Sequence, residues 1–253
     1  MGSNETMTSA SRWSGSAIVL GLLALPQALT ALTVALAWQV NTWLQHGGGQ
    51  RSVQLDGGAI TTIAITAYGL SLWITVFAAW RWSARQGFDA EVFAFRRPTW
   101  LDAALALAGF AITFYMAPII TRWAIALFGG TGPSHRLNTQ KASMLVLIVA
   151  ELVLTAPFAE EVLFRGLLVA WLRRLAWPLW AICLIGSFLF ACIHLSFFGL
   201  AWSVMAFFFG ALLFAIRFWR RSLTPCWLIH LLFNARYVII VPMLTSALHA
   251  LGR

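Results

Sequence analysis

Long apolar runs separated by short polar segments make up most of this chain. Each run is about 20 residues or longer, which is the length that a helix needs to cross a bilayer. The runs are 16–40, 58–80, 100–120, 142–172, 178–196, 200–219 and 223–242. This pattern predicts an all-α, polytopic transmembrane helical bundle of about seven spans, within a range of six to eight, around an intramembrane polar cavity.

Local signals place some of the helix boundaries. Thr99 is the expected N-cap of the third span, with Asp102 in its first turn. The fourth run is longer than a crossing requires, so we expect it to tilt or to bend at Pro157. The polar residues 1–15 are predicted to form a disordered tail. Residues 16–253 contain no linker and are predicted to form a single integral-membrane domain.

Composition supports the membrane class. Hydrophobic residues make up 60% of the chain and charged residues 10%, whereas soluble domains carry about 25% charged residues. The net charge of +9 comes from 17 basic against 8 acidic residues. Most basic residues lie at the edges of apolar runs, which indicates contact with anionic membrane lipid and argues against a nucleic-acid partner.

The distribution of the basic residues predicts an orientation. With seven spans, ten basic residues fall in the loops on one side and five in those on the other. The positive-inside rule then places the N-terminus in the cytoplasm. The short loops and the lack of a eukaryotic-style targeting segment favour a bacterial inner (plasma) membrane.

Two adjacent carboxylates and an arginine interrupt the fourth run, at Glu160, Glu161 and Arg165. A charge at membrane depth costs roughly 2.5–3.5 kcal/mol, so such a cluster indicates function. Glu161 and Arg165 are four residues apart on one helix face and can pair. Glu160 points about 100° away from Glu161. We therefore predict that Glu160 is the reactive carboxylate and that Glu161 and Arg165 support it.

Three further polar residues lie in later spans, at His194, His230 and Asn234. His230 and Asn234 are four residues apart and project the same way. The fifth and seventh spans run opposite to the fourth, so three helices can direct these groups and Glu160 into one cavity. Such a set suggests hydrolysis, with Glu160 and His194 activating water and His230 with Asn234 stabilising an oxyanion.

Each of these residues has a structural interpretation as well. A single His or Asn in a membrane helix more often makes a helix–helix hydrogen bond than catalyses a reaction, and only their joint occurrence favours an active site. Glu151 lies on about the opposite face from Glu160 and is interpreted as a partner for another helix. Arg236 lies off the face of His230 and Asn234 and is expected to snorkel or to pair.

The sequence patterns resemble the three motifs of the CPBP family, the CAAX proteases and bacteriocin-processing enzymes also called the ABI family. Glu-Glu-x-x-x-Arg occurs at 160–165, Phe-x-x-x-His at 190–194 and His-x-x-x-Asn at 230–234. The similarity covers about residues 142–240. It implies an intramembrane glutamate endopeptidase with membrane helices around a conical cavity.

The resemblance also implies a role for each motif residue. Glu160 matches the glutamate that activates water with His194, while His230 and Asn234 match the oxyanion-stabilising pair. The residues expected to support them are Glu161, Arg165 and Phe190.

Two alternatives stay open at this stage. Glu160, His194 and His230 could hold zinc, although no His-Glu-x-x-His spacing is present and the resemblance favours catalysis without a cofactor. A non-enzymatic immunity or scaffold protein could also retain the fold. The expected substrate is a peptide or membrane-associated protein, prenylated at a Cys-a-a-X terminus if the family name applies.

Overall fold

A computed structural model describes residues 8–46, 57–129 and 142–236 of the chain. Its helices are α1 (Ser9–His46), α2 (Gly57–Arg85), α3 (Asp89–Val92), α4 (Trp100–Phe128), α5 (Ala142–Arg174), α6 (Leu179–Arg220) and α7 (Thr224–Ala235). The described residues form no strand. The prediction of an all-α bundle is confirmed.

Six helical segments within the described residues are long and apolar enough to cross a membrane. Two of them come from α6, which is interrupted at Gly199 with φ 78° and ψ 175°, a conformation that glycine adopts without a Cβ clash. We call its parts α6a (Leu179–Ser196) and α6b (Phe198–Arg220). The predicted seventh span begins as α7, and its expected continuation beyond 236 lies outside the described residues. These spans confirm the predicted polytopic architecture.

The ends of α1 and α4 follow from local hydrogen bonds. Thr99 accepts from the backbone N–H of Asp102 at 3.3 Å and its own N–H donates to Asp102 Oδ2 at 2.9 Å, so the predicted cap is present. By contrast, α1 begins at Ser9, inside the predicted disordered tail of residues 1–15. Thr8 Oγ1 accepts from the N–H of Ser11 at 3.2 Å, which starts the helix before the apolar run.

The central helix of the bundle is α5. Every residue from Ala159 to Leu172 is buried, as expected for a helix that is apolar on all sides. It is not α-helical throughout, because Val149–Thr155 and Glu161–Leu168 are π-helical and flank a short α-helical segment, Ala156–Glu160. π-Helical turns inside α-helices occur frequently at functional sites.

Segments rich in arginine meet at one end of the bundle. Arg174, at the end of α5, lies 3.8 Å from the carboxylate of Glu91 in α3. The N–H of Leu223 donates to Ala94 O at 3.0 Å, and Thr224 Oγ1 donates to Arg96 O at 2.7 Å. We call this region the arginine-rich end. The three loops that meet here follow α2, α5 and α6. They belong to the side of the membrane for which the sequence predicts the larger number of basic residues.

Candidate active site

Glu160 lies on α5 with its two carboxylate oxygens in different surroundings. Oε1 accepts a hydrogen bond of 2.8 Å from Tyr68 Oη of α2. Oε2 is buried and has no hydrogen-bond partner among the described residues. It faces His194 Nε2 at 4.0 Å and His230 Nε2 at 3.8 Å. These distances are too long for direct hydrogen bonds and short enough for one water to bridge.

The orientation of His194 defines the role that its second nitrogen can take. Nδ1 lies 2.7 Å from the backbone oxygen of Phe190, one turn earlier on α6a. A carbonyl only accepts, so Nδ1 carries the hydrogen of this bond. In the neutral ring Nε2 therefore presents a lone pair towards Glu160. His194 and Glu160 can then both accept a proton from a water held between them.

His230 belongs to a second, more deeply buried set of charges. Its Nδ1 lies 2.8 Å from Glu161 Oε1, and the same oxygen lies 3.2 Å from Arg165 Nη1. The predicted pairing of Glu161 with Arg165 is therefore present, and Glu161 additionally fixes the ring of His230. A carboxylate that orients an imidazole in this way is common in hydrolytic sites.

Arg165 is fully buried, and the surrounding groups explain how it is held. Its guanidinium carbon lies 4.4 Å from the ring centre of Phe190 and 4.7 Å from that of Phe214, close enough for cation–π attraction to each ring. Nη2 donates to Gly210 O at 3.3 Å. The Phe190 ring also contacts His194, with ring centres 4.6 Å apart. This aromatic side chain therefore packs against both Arg165 and His194.

Asn234 makes a hydrogen bond to the backbone of α5. Its Nδ2 donates to the backbone oxygen of Leu152 at 2.8 Å. In the π-helical register each carbonyl accepts from the N–H five residues later, as Glu151 O does from the Ala156 N–H. The backbone N–H of residue 157 would therefore be the donor to Leu152 O. That residue is proline and has no N–H. Asn234 therefore satisfies the carbonyl that Pro157 leaves open, and this bond joins α7 to α5.

This arrangement predicts a coupling between Asn234 and Pro157. Asn234→Ala is expected to lower the free energy of unfolding by about 1–3 kcal/mol, because the partly buried Leu152 O becomes an unsatisfied acceptor. With Pro157→Ala, which restores an N–H, the loss from Asn234→Ala should shrink. A double-mutant cycle read by thermal unfolding in detergent measures this coupling. Independent, additive losses would contradict it.

Tyr68 is the site residue that the sequence patterns missed. It lies in the second apolar run, outside all three motifs. A buried tyrosine hydroxyl usually requires a hydrogen-bond partner, so a Tyr in an apolar span was the available signal. That signal does not identify Glu160 as the partner, because the contact joins residues on separate helices.

Glu151 and Arg236 lie apart from this cluster. Gly69 of α2 contacts the Glu151 carboxylate so closely that a side chain at Gly69 would overlap it, which agrees with a role in helix packing. Arg236 does not snorkel: it is buried, donates to Thr113 O at 3.3 Å and lies over the ring of Phe114 at 4.1 Å. The backbone oxygen and the aromatic face of α4 make this burial possible.

A buried carboxylate, two histidines and a supporting ion pair are groups that the class of hydrolases can use to activate water. Comparison with known proteins narrows this class. Residues 142–236 match the family model described as type II CAAX prenyl endopeptidase Rce1-like. This segment contains all three motifs, so the predicted resemblance to the CPBP family is confirmed, and the family suggests intramembrane endopeptidase activity. No curated protein and no solved structure matches the chain.

Proposed function

We propose that this protein is an intramembrane endopeptidase that hydrolyses a peptide bond of a membrane-associated protein or peptide, and that Glu160 with His194 activates the water. The observation that carries the proposal is the position of Glu160 Oε2, which lacks a hydrogen bond among the described residues and faces the Nε2 atoms of His194 and His230. Tyr68 holds the other oxygen. One carboxylate oxygen is thereby fixed and the other is free to take a proton.

The proposed reaction begins with a water bound between Glu160 and His194. As the water oxygen attacks the scissile carbonyl carbon, its proton passes to this pair and the carbonyl oxygen becomes an oxyanion. The tetrahedral intermediate then collapses, the C–N bond breaks, and the same proton goes to the leaving amine. The products are a carboxylic acid and an amine.

His230 is proposed to stabilise the oxyanion as an imidazolium. Its Nδ1–H is directed at Glu161, so Nε2 can donate only when it too carries a proton. The carboxylates of Glu161, 2.8 Å from Nδ1, and Glu160, 3.8 Å from Nε2, lie close enough to stabilise that cation. Asn234 is proposed to assist with its second amide hydrogen, because the first is engaged by Leu152 O.

An apolar groove beside the site supports a lipid-modified or strongly apolar substrate. A cavity of about 230 Å³ lies between α4 and α6b, and its wall includes Phe209, whose ring centre is 5.2 Å from that of His230. The other lining residues are apolar apart from Thr113. A prenyl group on a Cys-a-a-X terminus has matching chemistry. Comparing cleavage of one peptide with and without the prenyl group tests this substrate class.

The central experiment is turnover of a cleavable membrane-tethered reporter by purified protein in liposomes. Wild type should cleave it and His194→Ala should not. Comparative N-terminal proteomics of membranes carrying either form should then reveal new termini with wild type alone, which name the substrate. Equal cleavage by both forms would overturn the proposed mechanism.

Zinc dependence is the alternative mechanism, with Glu160, His194 and His230 as the residues that would bind the ion. Within 8–46, 57–129 and 142–236, no group of three or more His, Cys, Asp or Glu side chains is arranged to hold a metal ion. When bound, zinc would polarise a carbonyl or a water. Activity that survives a strong chelator supports the metal-independent proposal, whereas loss on chelation and recovery with zinc supports the alternative.

Tyr68→Phe is expected to reduce kcat roughly 5- to 30-fold, the rate equivalent of a lost hydrogen bond of about 1–2 kcal/mol. The phenylalanine ring keeps the packing, but Glu160 Oε1 loses its donor. KM should change little, because Tyr68 is proposed to position the base. The matched control is Tyr115→Phe, since Tyr115 is 70% exposed on α4. Equal effects of the two variants, or a change in KM alone, would contradict a positioning role.

A further inference from the structure

A second cavity lies at the arginine-rich end of the bundle and has a different character from the active site. Its volume is about 230 Å³. Three parts of the chain surround it: α3 and the segment that follows it, the last turns of α5, and the end of α6b. Four arginines and one carboxylate contribute to its lining: Arg96, Arg173, Arg217, Arg221 and Glu91. The carboxylate already has a partner outside the lining, because Glu91 lies 3.8 Å from Arg174.

Arg217 makes the charge imbalance in this cavity costly. Its exposed fraction is 7%, and its Nε donates to the backbone oxygen of Arg165 at 3.0 Å. In the part of the chain that the structure describes, no carboxylate lies within salt-bridge distance of Arg217, whereas Arg165 has Glu161 and Arg220 has Asp102. A buried charge without a counter-ion is unfavourable, and the neighbouring arginines add repulsion.

We propose that this cavity binds the phosphate group of an anionic lipid headgroup. Guanidinium groups bind phosphate oxygens through paired N–H donors and are suited to partly buried sites. The exposed Arg96, Arg173 and Arg221 can converge on an anion that also neutralises the buried Arg217. The cavity is large enough for a phosphate, and it lies where helices end, which is the level of lipid headgroups.

The site is separate from the proposed active site. Arg173 follows Glu160 by about three and a half turns of α5, so the two lie roughly 15–20 Å apart along the helix. Binding at the cavity therefore requires neither Glu160 nor the histidines. A test by direct binding gives its answer whether or not the protein proves to be a protease.

The experiment measures binding to the purified protein in detergent by native mass spectrometry. The probes are phosphatidylglycerol, diacylglycerol, which lacks the phosphate, and inorganic phosphate as a competitor. The double variant R96Q/R173Q removes two lining charges. The control R85Q/R97Q removes two exposed charges near the same end, neither of which lines the cavity. Both variants lose the same net charge, and Arg217 stays intact in each.

We expect phosphatidylglycerol to bind at least 10-fold more tightly than diacylglycerol, with R96Q/R173Q weakening it at least 10-fold and R85Q/R97Q less than 2-fold. If millimolar phosphate does not displace the lipid, the lipid headgroup is the ligand. If it does, the cavity is a phosphate site open to soluble anions as well. Equal binding of the two lipids, or equal losses in the two double variants, would overturn the proposal.

Discussion

Replacing Glu160 by glutamine is expected to lower the rate of peptide hydrolysis by roughly 10²–10⁴-fold, the usual contribution of a general base. An amide has nearly the size and shape of the carboxylate, and its oxygen can still accept the hydrogen bond from Tyr68. It cannot take a proton from water at the position that faces His194 and His230. The rate should therefore fall while the fold is kept.

Turnover of the liposome reporter measures this loss, and Glu91→Gln is its control. Glu91 is a carboxylate whose side chain is 56% exposed, so the same substitution there should leave the rate within about 2-fold of wild type. Thermal unfolding in detergent should be nearly unchanged for Glu160→Gln. Wild-type turnover by Glu160→Gln would favour the non-enzymatic alternative, in which the polar cluster serves helix packing.

Arg165→Met is expected to destabilise the protein by about 3–5 kcal/mol, because it removes the guanidinium that lies 3.2 Å from the fully buried carboxylate of Glu161. Methionine fills much of the same volume between Phe190 and Phe214, so lost packing contributes less than lost charge. Activity should fall as well, since Glu161 also fixes His230. Thermal unfolding in detergent and reporter turnover measure the two effects.

A combined replacement separates stability from catalysis. Adding Glu161→Gln to Arg165→Met removes the unpaired charge, so the double variant should be more stable than Arg165→Met alone. Its turnover should stay low, because the amide introduced beside His230 binds an imidazolium less strongly than a carboxylate does. Arg174→Met is the matched control at an exposed pair. No recovery of stability in the double variant would refute the charge-based explanation.

The parts of the site that could be predicted from the sequence depend on short-range spacing along one helix or on the alternating direction of membrane spans. Glu161 and Arg165 are four residues apart on one helix, and any helix brings that spacing together. To predict that Glu160, His194 and His230 converge, the alternating direction of consecutive spans was needed as well. The capped start of α4 at Thr99 followed from a short-range motif that forms regardless of the tertiary structure.

The parts that were missed depend on tertiary contacts or on helix type. The bond from Tyr68 to Glu160 depends on how α2 packs against α5, and apolar composition does not specify that packing. The bond from Asn234 to Leu152 depends on a π-helical register, which leaves no mark in a pattern of apolar residues. In each case a polar group in an apolar span indicated a partner without identifying it.

The π-helical stretch Val149–Thr155 also has a consequence for how α5 tolerates change. An α-helix advances about 100° per residue, and a π-helical turn holds an additional residue within the same rotation. The residues before this stretch are therefore turned by about 100° from the positions that an uninterrupted α-helix would give them relative to Glu160 and Glu161. An exposed position here, such as Leu154, is therefore one where removing a single residue is expected to return the stretch to a regular α-helix and leave the carboxylates facing both histidines. The same deletion in a regular α-helix would rotate them by about 100°.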